Sequence, residues 1–218
     1  MKSIFITATN TDIGKTYATL KLLEEFSRQG YRVGAFKPIE TGVNSHPQDA
    51  KKLLQSSKKL NPDFNAINID DICPLQFSLP AAPYVANNGE KIDLKKIKKS
   101  YTKLKKYCDI LLIEGAGGLM VPIDREYFMI DFIELFNSHT LLVTHDKLGS
   151  INDTLLSLEA LKNRNLPHTW CINNRHFKED FEKITLPFYK KEFERVLMLE
   201  DIKTLCLELI AKSNSNSN

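Results

Sequence analysis

The sequence predicts an α/β fold of three layers, a mostly parallel sheet with helices on both faces, and two observations carry that reading. Short continuous apolar runs alternate with longer amphipathic stretches, the pattern of strands buried on both sides by the helices that connect them. The first run, Ser3-Ile4-Phe5-Ile6-Thr7, passes through a polar turn into Gly14-Lys15-Thr16 at the head of an amphipathic stretch, a strand–loop–helix unit of the P-loop NTPase type. With 218 residues, 42% of them hydrophobic, the chain can bury one sizeable core, so one domain over residues 1–212 is expected.

The elements follow in order. Strands are expected at 3–7, 32–37, 109–114, 140–144 and 168–173, each an apolar run rich in Ile, Leu, Val or Phe. Helices are expected at 15–29, closed by Gly30, and at 94–107, 151–164 and 201–212. The segment 39–89 contains Pro47, Pro62, Pro74, Pro80 and Pro83. It reads as an irregular insertion of the kind that gathers where α/β sheets bind ligands. Residues 213–218 alternate Ser and Asn, have nothing to bury, and are expected to form a disordered tail. No internal repeat is present.

Composition excludes several classes. Thirty basic side chains stand against 27 acidic ones, a net charge of +3, which does not imply a nucleic-acid partner. The lysines from Lys95 to Lys106 read as a solvated helix face, since no aromatic residues interleave in a stacking pattern. Cys73, Cys108, Cys171 and Cys206 are far apart, without a C-x-x-C pair or histidines at zinc spacing. They read as reduced, mostly buried thiols of a cytoplasmic protein. No apolar stretch matches a signal peptide or a membrane span, so no membrane partner is expected.

Each chemically distinctive cluster falls at the C-terminal end of a predicted strand, the edge at which open α/β sheets bind ligands. In Ala8-Thr9-Asn10-Thr11-Asp12-Ile13-Gly14-Lys15-Thr16, backbone N–H groups and the helix dipole suit phosphate oxygens. Lys15 would reach the terminal phosphates and the Thr16 hydroxyl would ligate Mg²⁺. The common G-x-x-x-x-G-K-[ST] form would place glycine at position 9, where this chain has Thr9. The plain alternative is a strand followed by a glycine and a capped helix. Lys37-Pro38-Ile39-Glu40-Thr41-Gly42 follows the second strand, and Glu114-Gly115-Ala116-Gly117-Gly118 follows the third. Glu114 is placed to hold Mg²⁺ or its water, and the glycines behind it would admit phosphate or substrate to the backbone. Here the plain alternative is a strand ending in a glycine-rich turn.

These motifs, with Lys147-Leu148-Gly149-Ser150-Ile151-Asn152 after the fourth strand, stand in an order and spacing that resembles the dethiobiotin synthetase family, from about Ile4 to Asn173. The resemblance implies Mg-ATP-dependent closure of a cyclic urea from 7,8-diaminononanoate and CO₂. One amine forms a carbamate, the γ-phosphate activates it as a mixed anhydride, and the second amine closes the ring. It implies Lys15 and Lys37 as catalytic cations, and Thr16, Asp49 and Glu114 around Mg²⁺. Thr11, Asp12, Ile13, Gly14, Lys15, Thr16, Glu114, Gly117 and Asn173 would hold the nucleotide. Thr11, Lys37, Thr41, Pro80, Gly118, Gly149, Ser150, Ile151 and Asn152 would hold the substrate. It also implies a homodimer in which Gly149 to Asn152, at a helix start, take the substrate carboxylate in the partner's site.

The chain departs from the family pattern in three places: Ala8 replaces the loop's first glycine, Asp12 stands where Glu is frequent, and the Gly-x-Ile-Pro core expected beyond Asn173 is missing. Leu186-Pro187-Phe188-Tyr189 is the nearest substitute, so loose base selectivity is expected. Pro80-Ala81-Ala82-Pro83 resembles a pocket-lining stretch of the family, and a simple helix entry explains it as well. The competing reading is a ParA- or MinD-like switch ATPase. Against it, Thr9-Asn10-Thr11-Asp12 lacks that class's additional lysine, and the C-terminus shows no basic amphipathic anchor.

Overall fold

The computed structural model describes residues 1–175 and 178–215, of which 178 and 213–215 are described by backbone alone. Seven strands are present among these residues: β1 (Lys2–Ala8), β2 (Val33–Phe36), β3 (Ile39–Thr41), β4 (Leu75–Phe77), β5 (Ile110–Gly118), β6 (His139–His145) and β7 (His168–Asn173). The helices are α1 (Lys15–Arg28), α2 (Gln48–Leu60), α3 (Ile69–Ile72), α4 (Pro83–Ala86), α5 (Leu94–Leu104), α6 (Asp131–Leu135), α7 (Ser150–Asn163), α8 (Lys178–Asp180), α9 (Leu186–Glu192) and α10 (Ile202–Ser215). The main sheet is wholly parallel with order β2-β5-β1-β6-β7, as its apolar runs predict. Strands added after β1 go first to one side and then to the other. The C-terminal end of β1 therefore lies at the switch point where such sheets open a crevice.

Side-chain alternation divides the core into two layers. Ile4, Ile6 and Ala8 of β1, with Ile110 and Leu112 of β5, face Ala18, Leu22 and Phe26 of α1 and Leu205 and Leu209 of α10. Phe5, Leu111 and Ile113 point the other way, toward Ile97 and Leu104 of α5 and Leu158 and Leu161 of α7. Burying each such side chain stabilises the fold by ~1.5–3 kcal/mol. On α5 the apolar stripe turns inward while Lys95, Lys96, Lys98 and Lys99 are exposed, a solvated face as expected. The helix α1 ends as predicted at Gly30, whose φ is +88°. Gly30 N–H donates to the Ser27 carbonyl and Tyr31 N–H to that of Phe26, the paired bonds of a glycine-closed helix end.

The segment 39–89 is more regular than expected. It holds the 13-residue α2, a small parallel sheet of β3 and β4, and short helical turns. Its prolines bound these elements instead of breaking them: Pro47 precedes α2, Pro62 opens the 3₁₀ turn Pro62–Ala66, and Pro83 begins α4. Proline is tolerated at a helix start, where its missing N–H would have no partner anyway. The expected 94–107 helix ends as α at Leu104 and tightens to a 3₁₀ turn, Lys105–Tyr107. The last helix reaches Ser215, and the expected tail's final positions, 216–218, lie outside the described residues. All four cysteines are buried and free of disulfides. No described helix is long and apolar enough to cross a membrane.

The packing of β2 generates a test. A Cβ at Gly34 would run into the ring of Phe64, which is fully buried. Gly34→Ala should lower unfolding stability by ~1–3 kcal/mol through overpacking, measured by urea denaturation. A loss below about 0.5 kcal/mol, the range of neutral surface changes, would show that the ring has room to move.

Candidate functional site

The site begins where β1 ends. Asp12 (φ 59°) and Gly14 (φ 102°) both adopt left-handed backbone conformations, bending the chain sharply into α1. Any Cβ at Gly14 would come within 2.5 Å of Asn173 Nδ2, so glycine serves both the turn and a close approach. Asn173, the last residue of β7, donates from Nδ2 to the Ile13 carbonyl at 2.8 Å and buttresses the loop from behind. The helical ladder starts with Ala18 N–H donating to the Gly14 carbonyl. The N–H groups of Lys15, Thr16 and Tyr17 therefore have no helical acceptor and are available to an anion. Ala8 sits inside β1, buried and without positive φ. Its methyl group belongs to the core and does not crowd the turn.

Glu114 of β5 is the centre of the arrangement. Its side chain is fully buried. Oε1 accepts from Thr16 Oγ1 at 2.9 Å and from Lys37 Nζ at 2.7 Å, and Oε2 accepts from Thr19 Oγ1 at 2.9 Å. Lys37, just beyond β2, also donates to the Gly115 carbonyl at 3.2 Å and lies 3.8 Å from Asp49 Oδ2. Lys15 folds back over the loop and donates to the Asn10 carbonyl at 3.1 Å. Burial, and then the positive charge of Lys37, lowers the Lys15 pKa to about 8. For Lys37 burial also acts downward, but Glu114 and Asp49 outweigh it and hold the ammonium charged, above its ordinary range.

A cavity of about 380 Å³ opens over these groups, lined by Thr11, Asp12, Gly14, Lys15, Thr16, Lys37, Glu40, Thr41, Asp49, Glu114, Ala116 and Gly117. Most of the expected residues thus meet in one place. Ile13 and Asn173 support the loop. Gly118 lies beneath it, where a Cβ would press on the Thr9 and Ala8 carbonyls. Pro80 packs on Gly42, next to Thr41. Gly149, Ser150, Ile151 and Asn152 begin α7 at the end of β6 and do not line this cavity within the chain. Pro83 starts α4 with Ala82 at its cap, so that stretch is a helix entry. Leu186 and Tyr189 of α9 are buried in a small core around Ile172 and Phe181; the packing of this stretch is structural.

Two groups escaped the sequence reading. Thr19 is one turn beyond Thr16 on the same helix face, the spacing that aims both hydroxyls at Glu114. Glu40 stands within the Lys37 motif, yet nothing local in the sequence indicates where its carboxylate goes.

The donor set fits a hard cation. Two carboxylates, Glu114 and Asp49, and the Thr16 hydroxyl offer oxygen ligands, and the Lys37 ammonium already lies within reach of both carboxylates. No group of three or more His, Cys, Asp or Glu able to hold a metal occurs among the described residues. The oxygens of Thr16, Asp49 and Glu114 would fill only part of a cation's shell, and Mg²⁺ usually takes the rest from phosphate and water.

Comparison with known proteins gives the chain a family. A family model described as an AAA domain matches residues 2–206. The ATP-dependent dethiobiotin synthetase of Sulfurovum sp. is 51% identical over 193 residues, 88% of this chain and 92% of that protein. The same enzyme from Wolinella succinogenes is 43% identical, covering 92% and 94%, and that from Methanocaldococcus jannaschii is 34% identical, covering 93% and 91%. The chain belongs to the dethiobiotin synthetase family. Among solved structures, a plasmid partition protein from Borrelia burgdorferi matches with TM-score 0.62 at 16% identity, covering 97% of this chain and 98% of that one. A ParA family ATPase from Chlorobium tepidum matches with TM-score 0.54 at 15% identity, covering 99% and 93%. At such identities the likeness shows the fold alone, so the switch-ATPase alternative is a structural kinship only.

The lowered pKa of Lys15 has a measurable sign. Below about pH 8 Lys15 is already charged, so a triphosphate binding at pH 7 should draw no proton to it. Near pH 9 the free site holds a largely neutral Lys15, and binding should recharge it with uptake of close to one proton. Calorimetry in buffers of different ionisation heat reads this directly. Equal heats in all buffers at pH 9 would contradict the assignment.

Proposed function

We propose that this protein is a carbon–nitrogen cyclo-ligase, a dethiobiotin synthetase that uses Mg-ATP to close the ureido ring of dethiobiotin from 7,8-diaminononanoate and CO₂. The observation that carries the reading is the convergence of Lys15, Lys37 and the oxygens of Thr16, Asp49 and Glu114 on one cavity, in a chain of this family. The reaction brings a carbamate against a triphosphate, so anions must be held together by fixed positive charge. Lys15 and the free N–H groups at the head of α1 hold the β- and γ-phosphates. Lys37, kept charged by Glu114, faces the carbamate and the transferred phosphoryl group. Thr16, Asp49 and Glu114 would hold Mg²⁺, which when bound neutralises charge on the β- and γ-phosphate oxygens. The carbamate oxygen attacks the γ-phosphorus and ADP leaves. The second amine then attacks the carbonyl carbon of the anhydride and phosphate leaves. No side chain is needed as a covalent nucleophile. Thr11, Thr41 and Gly117 border the reacting groups, with Gly118 beneath the loop and Pro80 behind Thr41.

The same reading includes a single catalytic domain over residues 1–212, a cytoplasmic location and a homodimer joined across α7. Support for the dimer comes from the apolar side chains left exposed on α7 and in the turn before it, Leu155 and Leu156 on the helix and Leu148 ahead of it. In the dimer, residues Gly149 to Asn152 of one chain would receive the substrate carboxylate held in the other chain's cavity.

Purified protein incubated with diaminononanoate, bicarbonate, Mg²⁺ and ATP should yield dethiobiotin by mass spectrometry. Absence of product despite bound ATP would refute the reading. The shared site has its own test in the same assay. Lys15→Ala should lose turnover by about 100-fold or more, as the loss of a preorganised charge does. Asn152→Glu, an exposed change at the helix start, should repel the substrate carboxylate. Mixed and subunit-exchanged, the two should regain product, because a hybrid dimer keeps one wild-type site. Verified hybrids that remain inactive would place both halves of the site in one chain.

A further inference from the structure

The loop from β3 to α2 is closed by one side chain. Glu40 Oε1 accepts the Asp49 N–H at 3.0 Å and Oε2 accepts the Ala50 N–H at 2.9 Å. The carboxylate is almost buried, with Glu40 only 7% exposed. Helix α2 has no cap of its own: its N-cap is Pro47, which offers no side-chain acceptor. Lys51 N–H is the first to find a carbonyl, that of Pro47. Without Glu40 the donors of Asp49 and Ala50 would be orphaned at a partly buried helix start. A carboxylate there also gains from the helix dipole.

This cap bears on the cavity because of what α2 carries into it. Glu114 is held by three donors and is fully buried. The Asp49 side chain is 39% exposed, and its ion-pair partners are Lys37 at 3.8 Å and Lys52 at 4.0 Å. Its position is therefore set chiefly by its backbone, and its backbone N–H is bound to Glu40. Glu40 is in turn fixed in β3, three residues after Lys37. We propose that Glu40 is a positioning residue which, by capping α2 from β3, sets the Asp49 carboxylate for Mg²⁺. This rests on the reading of Asp49 as a metal ligand. Glu40 itself turns both oxygens to α2.

The test compares Glu40→Gln, Asp49→Asn and the double variant by Mg²⁺ titration of ATP binding, with hydrogen exchange of residues 48–51 and thermal unfolding alongside. Glu40→Gln should raise the Mg²⁺ concentration for half-saturation about tenfold, the effect usual for groups that orient a ligand. It should also speed exchange at residues 49 and 50. Asp49→Asn should raise the Mg²⁺ requirement too, and adding Glu40→Gln to it should change nothing further. Pro47→Ser, which gives α2 a local cap, should restore both exchange protection and Mg²⁺ affinity to Glu40→Gln. If Asp49→Asn shifts the titration and Glu40→Gln does not, the positioning role is wrong while the metal reading stands. If Asp49→Asn leaves the titration unchanged, Asp49 is not a ligand and the positioning role falls with it. Additive shifts in the double variant, or protection restored by Pro47→Ser without Mg²⁺ affinity, would mean that Glu40 acts on the metal directly and would overturn the proposal.

Discussion

A carboxylate removed from water costs several kcal/mol unless its charge is compensated and its lone pairs are filled, and Glu114 is fully buried. Its compensation comes from two other places in the chain, Lys37 beyond β2 and Thr16 and Thr19 on α1, while Glu114 itself stands on β5. The pairing of β2 with β5, the placing of β1 beside β5 and the docking of α1 on the sheet must all be correct for these groups to meet. Truncating Lys37 would leave Glu114 as a buried charge without a counter-ion, and truncating Glu114 would leave Lys37 only the longer contact to Asp49. The same pair that constrains the fold also fixes the Lys37 ammonium in the lining of the cavity.

That constraint explains how the cavity joins opposite charges without collapsing. Lys37 is neutralised from below by Glu114 and from the side by Asp49, and stays charged. Among the described residues Lys15 has no such close partner, and burial lowers its pKa to about 8. An incoming polyphosphate completes what Lys15 lacks. A divalent cation would compete with Lys37 for the same two carboxylates. Such an arrangement suits a pair of ligands of opposite sign, as the proposed triphosphate and Mg²⁺ would be.

The main sheet was legible because a parallel strand buried on both faces is mostly apolar; the runs around Phe5, Leu111 and Leu142 show it directly. The α1 boundary was legible in Gly30. Helix α2 was not, because its inward stripe of Ala50, Leu53 and Ser57 is thin among lysines, serines and glutamine and is bracketed by prolines. At the site, most of the residues that line the cavity stood together in short motifs. The supporting groups did not: Thr19 could be inferred only from helix phase, and the partners of Glu40 are backbone amides nine and ten residues away. The start of α7 does not line the cavity of the single chain, so its expected part in the site rests on the proposed dimer.

The most direct test is a crystal structure of the complex with Mg²⁺ and a non-hydrolysable ATP analogue. The account predicts the metal beside Thr16 Oγ1, with Glu114 and Asp49 bound to it directly or through water. The Lys37 ammonium should be drawn away from Glu114 Oε1, from its present 2.7 Å, toward the γ-phosphate. A metal bound away from Glu114, or a Lys37 that keeps its place against Glu114 with the triphosphate seated, would contradict it.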